Sequence, residues 1–233
     1  MNAHSTIYVD ESRYNLYAMN HKGLRRAQTE LLGRLGALDV SDEAAVTALL
    51  ADLGTLILMG RQHLKHENEH IHGVIEALHA GATDRLADDH DHHLSDFDAL
   101  ETMMAALGAA PLASRGPLAR ALYLRYSQFL AEDFEHMLEE ETETLSLLHR
   151  LFSDADLQAI EMAIIGSVEP GLMLNYLRIM IPAMNPGERI GMLGGMKAGM
   201  PQPIFASVID AAVKPVLNKA DFAALAEALG IAA

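Results

Sequence analysis

The chain has no cysteine and no tryptophan, and aromatic residues make up only 5% of it. Without cysteine there is no thiol nucleophile, no thiolate metal site, no iron–sulfur cluster and no disulfide, so cysteine usage leaves the redox compartment open. Basic residues are scarce: 17 Lys and Arg stand against 32 Asp and Glu, a formal net charge of −15. Nucleic acids and anionic membranes bind clustered cations, so neither is expected as a partner. The opening "MNAHSTIYVD" lacks the basic start and apolar run of a secretory leader. No run of about 18 apolar residues is read; the best, "GLMLNYLRIMIPAM", is shorter and holds Arg178. A cytoplasmic protein without a membrane span is expected. Histidine is missing from the tail, since all 12 lie at or before His149.

What is present is apolar periodicity. Half of the 233 residues are hydrophobic, enough for a sizeable core. Apolar residues recur three and four apart, and Gly and Pro gather at a few breaks, which is a helical pattern. Four long helices are expected. They run from Asp10 to Leu35, from Asp42 to His79, from Thr83 into "LGAAPLASRGP", and from Pro117 to Phe152. Proline suits the first turn of a helix. Short connections between long helices predict an all-α fold, an up-down-up-down four-helix bundle over residues 1–152. Residues 153–233 read as a C-terminal helical extension, packed on the bundle or forming a small interaction module. Its capping boxes fall at "SDAD" (153–156) and "NPGE" (185–188). Six of the 13 methionines lie between Met173 and Met200, a pattern of adaptable core packing.

Chemistry gathers in the histidines. The stretch "HLKHENEHIHGVIEALH" holds five of them in one expected helix. At about 100° per residue, Glu67 lies about 40° from His63 and His70 about −20°, while His66 sits near −60° and His72 near 180°. Leu53, Leu56, Gly60, Val74 and Leu78 continue the His63 stripe, so His63 and Glu67 point inward together. "FEHMLEEETETL" repeats the spacing with His136 and Glu140, in line with Phe129 and Leu147. The first helix offers His21, in line with Tyr14 and Tyr17. The third offers Leu86, His90, His93, Phe97 and Leu100 on one stripe, with His92 turned aside. Buried imidazoles and carboxylates without partners are costly. A pair of metal ions removes the objection, because imidazole suits iron and a carboxylate can bridge two ions.

His66, His72, His79, His92 and His149 read as surface histidines. His70 is on the inward stripe but about 10 Å along the axis from His63, level with Glu143, and a polar plug or pocket entrance is expected there. Tyr17 is either a core tyrosine or a hydrogen-bond donor behind the ligands. Glu67-Asn-Glu-His70 also fits the ExxH motif of ferritin-like di-iron proteins, but His21 stands where that pattern needs a glutamate.

In this combination the sequence resembles the hemerythrin family, specifically its HHE cation-binding branch. The pattern of one His on the first helix, HxxxE on the second, His on the third and HxxxE on the fourth is matched over residues 10–152. The matching residues are His21, His63 with Glu67, His90, and His136 with Glu140. The chain departs from the oxygen carriers in spacing His90 and His93 three apart, and in ending with HxxxE where they have HxxxxD. The resemblance implies a four-helix bundle around two non-haem iron ions, oxo- or hydroxo-bridged, or another divalent metal. The metal set is His21, His63, Glu67, His90, His93, His136 and Glu140, with His93 either a fifth imidazole ligand or a group hydrogen-bonded to a ligand or water. The implied function is binding or sensing of O2, NO, peroxide or iron itself. Nothing in the sequence supplies a substrate pocket or an acid–base pair, so an enzyme is not predicted, although oxidase or peroxidase chemistry stays open. The other reading is a metal-stabilised regulatory module whose C-terminal helices contact a protein partner.

Overall fold

A computed structural model describes residue 10 and residues 12–232. The described residues form helices and connections, with no strand among them. The all-helical expectation therefore holds.

Helix α1 is Ala18–Gly36. It starts later than expected because Asp10 folds the preceding chain into a turn, accepting from Ser12 N at 3.0 Å and Arg13 N at 3.1 Å. Asp42 caps α2 (Glu43–His66) by accepting from Ala45 N. The helix then passes through a π-helical turn, Glu67–His72, into α3 (Gly73–Leu78). Helix α4 is Asp84–Ala109. Helix α5 (Leu112–Glu139) begins five residues before Pro117, which sits inside it. A second π turn, Glu140–Thr144, leads into α6 (Leu145–Leu151). The expected second and fourth helices are thus each divided by a π turn.

The remaining helices are α7 (Asp154–Ser167), α8 (Pro170–Ala183), α9 (Pro186–Gly199), α10 (Gln202–Val208) and α11 (Lys219–Leu229), with a third π turn at Ile209–Val213. Both expected capping boxes form. Ser153 and Asp156 bond each other's backbone N–H, as do Asn185 and Glu188.

The chain divides into two compact units, Met1–Tyr17 with Gln28–Gly166 and Ala18–Ala27 with Ser167–Ala233. In the first, α4 packs on α5 and on α2, and α3 packs on α6. Its main core includes Leu53, Leu100, Leu107 and Leu122, each without exposed surface. At Gly60 an added Cβ would stand 2.6 Å from Phe97 Cζ, so a side chain there would hold α2 away from α4. A smaller core joins Leu16, Tyr17, Ile71, Ile75, Leu145 and Leu148 to Leu157 of α7, which is why this unit runs on past Phe152. The second unit has its own core around Leu177, Ile181, Leu193, Phe205 and Val213. Met173, Met192, Met196 and Met200 are packed against it, as the methionine spacing predicts.

The most apolar long segment is not "GLMLNYLRIMIPAM". By length and composition alone, Glu43–Leu78 could cross a membrane, with a mean hydropathy of 1.5 in its best window, of which 28% is buried inside the protein. The same segment carries His63 and Glu67.

Candidate metal centre

Both π turns open on the glutamate of an HxxxE motif. Helix α2 ends at His66 and its π turn begins at Glu67; α5 ends at Glu139 and its π turn begins at Glu140. Such turns insert one residue into an α-helix and recur at functional sites. The insertion moves the buried stripe on by one position. Beyond Glu67 the buried residues are Ile71, His72 and Ile75, while Val74 is half-buried and Leu78 is 60% exposed. Beyond Glu140 they are Thr144, Leu145 and Leu148, with Leu147 only half-buried.

This shift corrects several expectations. His72, expected in solvent, is buried and its ring stacks on His90 with centroids 4.9 Å apart. His66 is buried as well. Glu143 faces solvent and His70 is half-buried, so the expected polar plug does not match their burial. His149 is half-buried, its Nε2 2.9 Å from Tyr14 O. His79 and His92 are exposed as expected.

Two buried groups of ligating side chains result. Glu67, His90, His136 and Glu140 form one; His63 with Glu67 and Glu140 forms the other. Within each group the ligand atoms lie within 4.8 Å of one another. Both glutamates belong to both groups. His21, on α1, has no exposed surface. His63 Nε2 stands 3.2 Å from Glu67 Oε1, His136 Nε2 3.5 Å from Glu140 Oε2, and His90 Nε2 3.7 Å from Glu67 Oε2. His93 belongs to neither group. It is buried edge-on to His136, with ring centroids 5.2 Å apart, and its Nε2 lies 3.9 Å from Asp133 Oδ1.

Protonation decides what these atoms can hold. His90 Nδ1 lies 2.8 Å from Asn68 Oδ1. An amide oxygen only accepts, so Nδ1 carries the proton and Nε2 presents a lone pair. His136 Nδ1 faces the Asp89 carboxylate at 3.6 Å, which favours the same tautomer. The two Nε2 atoms stand 3.0 Å apart. Burial, with the neighbouring His136, His72 and His93, pushes His90 down to about 2, so it stays neutral. Two lone pairs facing at this distance repel unless a cation lies between them. Two nitrogen ligands bound at about 2.1 Å and at a right angle would stand about 3.0 Å apart. The donor set therefore fits a metal ion.

The carboxylates make the same demand. Burial, then Glu140 and Asp133, raises the Glu67 carboxyl well above its usual range. Paired buried carboxylates cannot both stay charged without a compensating cation. Burial and the two glutamates also raise the Tyr17 hydroxyl, which keeps its proton. A further grouping joins exposed His92 and half-buried Glu132 to buried Asp96, which already forms an ion pair with Arg125.

Asn68 and Asp89 escape a sequence reading because α-helical geometry turns each of them about 100° from the ligand beside it. Only the packing of α2 against α4 and of α4 against α5 brings them to ligands on a neighbouring helix.

Burial lowers the His72 imidazole to about 4. Its folded value lies below the unfolded value, so the stability it contributes is present above pH 6.5 and is lost as pH falls towards 4. Metal-free protein is therefore expected to lose roughly 3 kcal/mol over this window through His72. Denaturant titrations of parent and His72→Leu should diverge there, and parallel pH profiles would refute the assignment.

No protein-family model, curated protein or solved structure matches the chain.

Proposed function

We propose that the chain is a non-haem di-iron protein of hemerythrin-like design. In this reading α1, α2–α3, α4 and α5–α6 act as the four rods of a bundle, and the function is to bind or sense a small ligand of the O2, NO or peroxide class. The observation that carries it is the sharing of Glu67 and Glu140 by two buried groups, one with His90 and His136 and the other with His63. A carboxylate has two oxygens and can span two ions, and a mixed imidazole and carboxylate set suits iron. His90 and His136 would hold one ion, His21 and His63 the other, with Glu67 and Glu140 bridging.

Iron bound there would supply Lewis-acid and redox chemistry. The chain's own residues prepare the site. Asn68 fixes the tautomer of His90 and Asp89 favours the same one at His136, which tunes ligand orientation and basicity. Tyr17 holds a proton beside both glutamates.

Metal analysis with an absorption spectrum after aerobic purification tests the reading. About two irons per chain with near-ultraviolet charge-transfer bands are expected. A His63→Ala, His136→Ala double variant should lose both ions. Unchanged metal content in that variant would refute the site.

A further inference from the structure

The metal groups leave one buried imidazole beside them unused. His72 is 5% exposed, and neither of its ring nitrogens has a hydrogen-bond partner among the described residues. Burial holds its ring neutral, and a neutral imidazole still carries one N–H. Burying that N–H without a partner costs stability that an apolar side chain would keep. Packing alone therefore gives no reason for a histidine here. Its ring lies on that of His90, with centroids 4.9 Å apart and the planes 20° from parallel. Imidazole is the smallest aromatic ring among the side chains, so it offers a flat face where a closely packed interior has least room. The two rings come from different helices: His72 closes the π turn Glu67–His72, and His90 is on α4. The same turn brings Glu67 Oε2 to 3.7 Å and Asn68 Oδ1 to 2.8 Å from the two nitrogens of His90. The Asn68 bond selects the tautomer, but one hydrogen bond fixes a line and not the plane of a ring. A flat neighbour against the face fixes the plane.

We propose that His72 is a positioning residue for the metal centre: its ring, laid on His90, sets the plane of the His90 imidazole so that the Nε2 lone pair points to where Glu67, His136 and Glu140 gather their own ligand atoms. The contact strengthens when a cation binds there. Coordination draws electron density out of the His90 ring, and the face of a neutral aromatic ring attracts a neighbour of positive character. Leucine offers bulk at position 72 but no such face. His72 thus favours the ion at His90 and His136 without touching it, and it acts on that position alone, because His90 belongs to one ligand group only. The effect on metal affinity rests on the di-iron reading; the hold of His72 on the His90 ring does not.

His72→Leu in the full chain separates these. With no N–H left unpaired, the variant should unfold near neutral pH at a denaturant concentration at least equal to the parent's. A lower midpoint would make His72 a packing residue and overturn the proposal. In metal-free protein, 15N NMR of the histidine rings should show His90 protonated at Nδ1 alone in the parent. In His72→Leu a measurable share of the Nε2-protonated form should appear, because the ring can turn away from Asn68. A His90 signal unchanged in the variant overturns the positioning role. Cobalt(II) titration, followed by visible absorption, should show one of two binding steps weakened roughly 3- to 10-fold in His72→Leu, the range of an aromatic pair, with the other step unaltered. Equal weakening of both steps, or of neither, overturns the effect on the metal. A parent that takes up no cobalt refutes the di-iron reading alone, and the 15N spectra still decide what His72 does to His90.

Discussion

A Glu140→Ala protein is expected to lose metal from both positions, although all of the candidate histidine ligands remain. Glu140 belongs to both ligand groups and has no exposed surface. Its removal takes one anionic donor from each ion at once. Outer partners of metal ligands are each worth about 10- to 100-fold in affinity, and a shared ligand should exceed that. His90→Ala removes a donor from one group only and should leave the position at His63 filled. Asn68→Ala should stay within the 10- to 100-fold range, because the His90 tautomer loosens while its nitrogen remains. Titration with iron or cobalt, counting ions per chain, distinguishes the three. Equal losses in Glu140→Ala and His90→Ala would mean that the two groups do not share a bridge.

The second large effect is expected from two single-residue deletions in one helix. Deleting Thr55, an exposed residue of α2, turns everything after it by about 100° relative to what precedes it. Leu49 and Leu53 then no longer share a face with Ile57, Leu64 and His63, and the cost should exceed about 4 kcal/mol. Deleting Glu69, with its side chain about half exposed, should behave otherwise. It lies in the π turn, where one residue is already in excess, so its removal restores plain α-helical register and keeps Ile71, His72 and Ile75 inward. Stability is expected within about 1 kcal/mol of the parent. Metal affinity should still drop by about 10- to 100-fold, because Asn68 no longer meets His90. Denaturant unfolding followed by circular dichroism, with metal titration, checks both. If the Glu69 deletion unfolds as readily as the Thr55 deletion, the π turn is not a local insertion.

This contrast also marks how far the sequence could be read. Within an uninterrupted α-helix the 100° rule placed His63 with Glu67, and Leu86, His90, His93, Phe97 and Leu100 on one buried stripe. It failed immediately after each glutamate, where the backbone changes its hydrogen-bond period. Val74 and Leu78 were expected inside, and Ile71, His72 and Ile75 are found there instead. The residues that tune the site were invisible for a related reason. Asn68 and Asp89 act across to a neighbouring helix, and spacing within one helix carries no information about another.

The sequence by itself determined the helical class, both capping boxes and the i, i+4 pairing of histidine with glutamate, because these depend on local geometry. Only the tertiary structure decided that Glu67 and Glu140 are shared by two ligand groups. It also decided that His93 faces Asp133 and that His72 lies against His90. Each of these depends on side chains brought together from different helices, and the register that aligns them is set at the π turns.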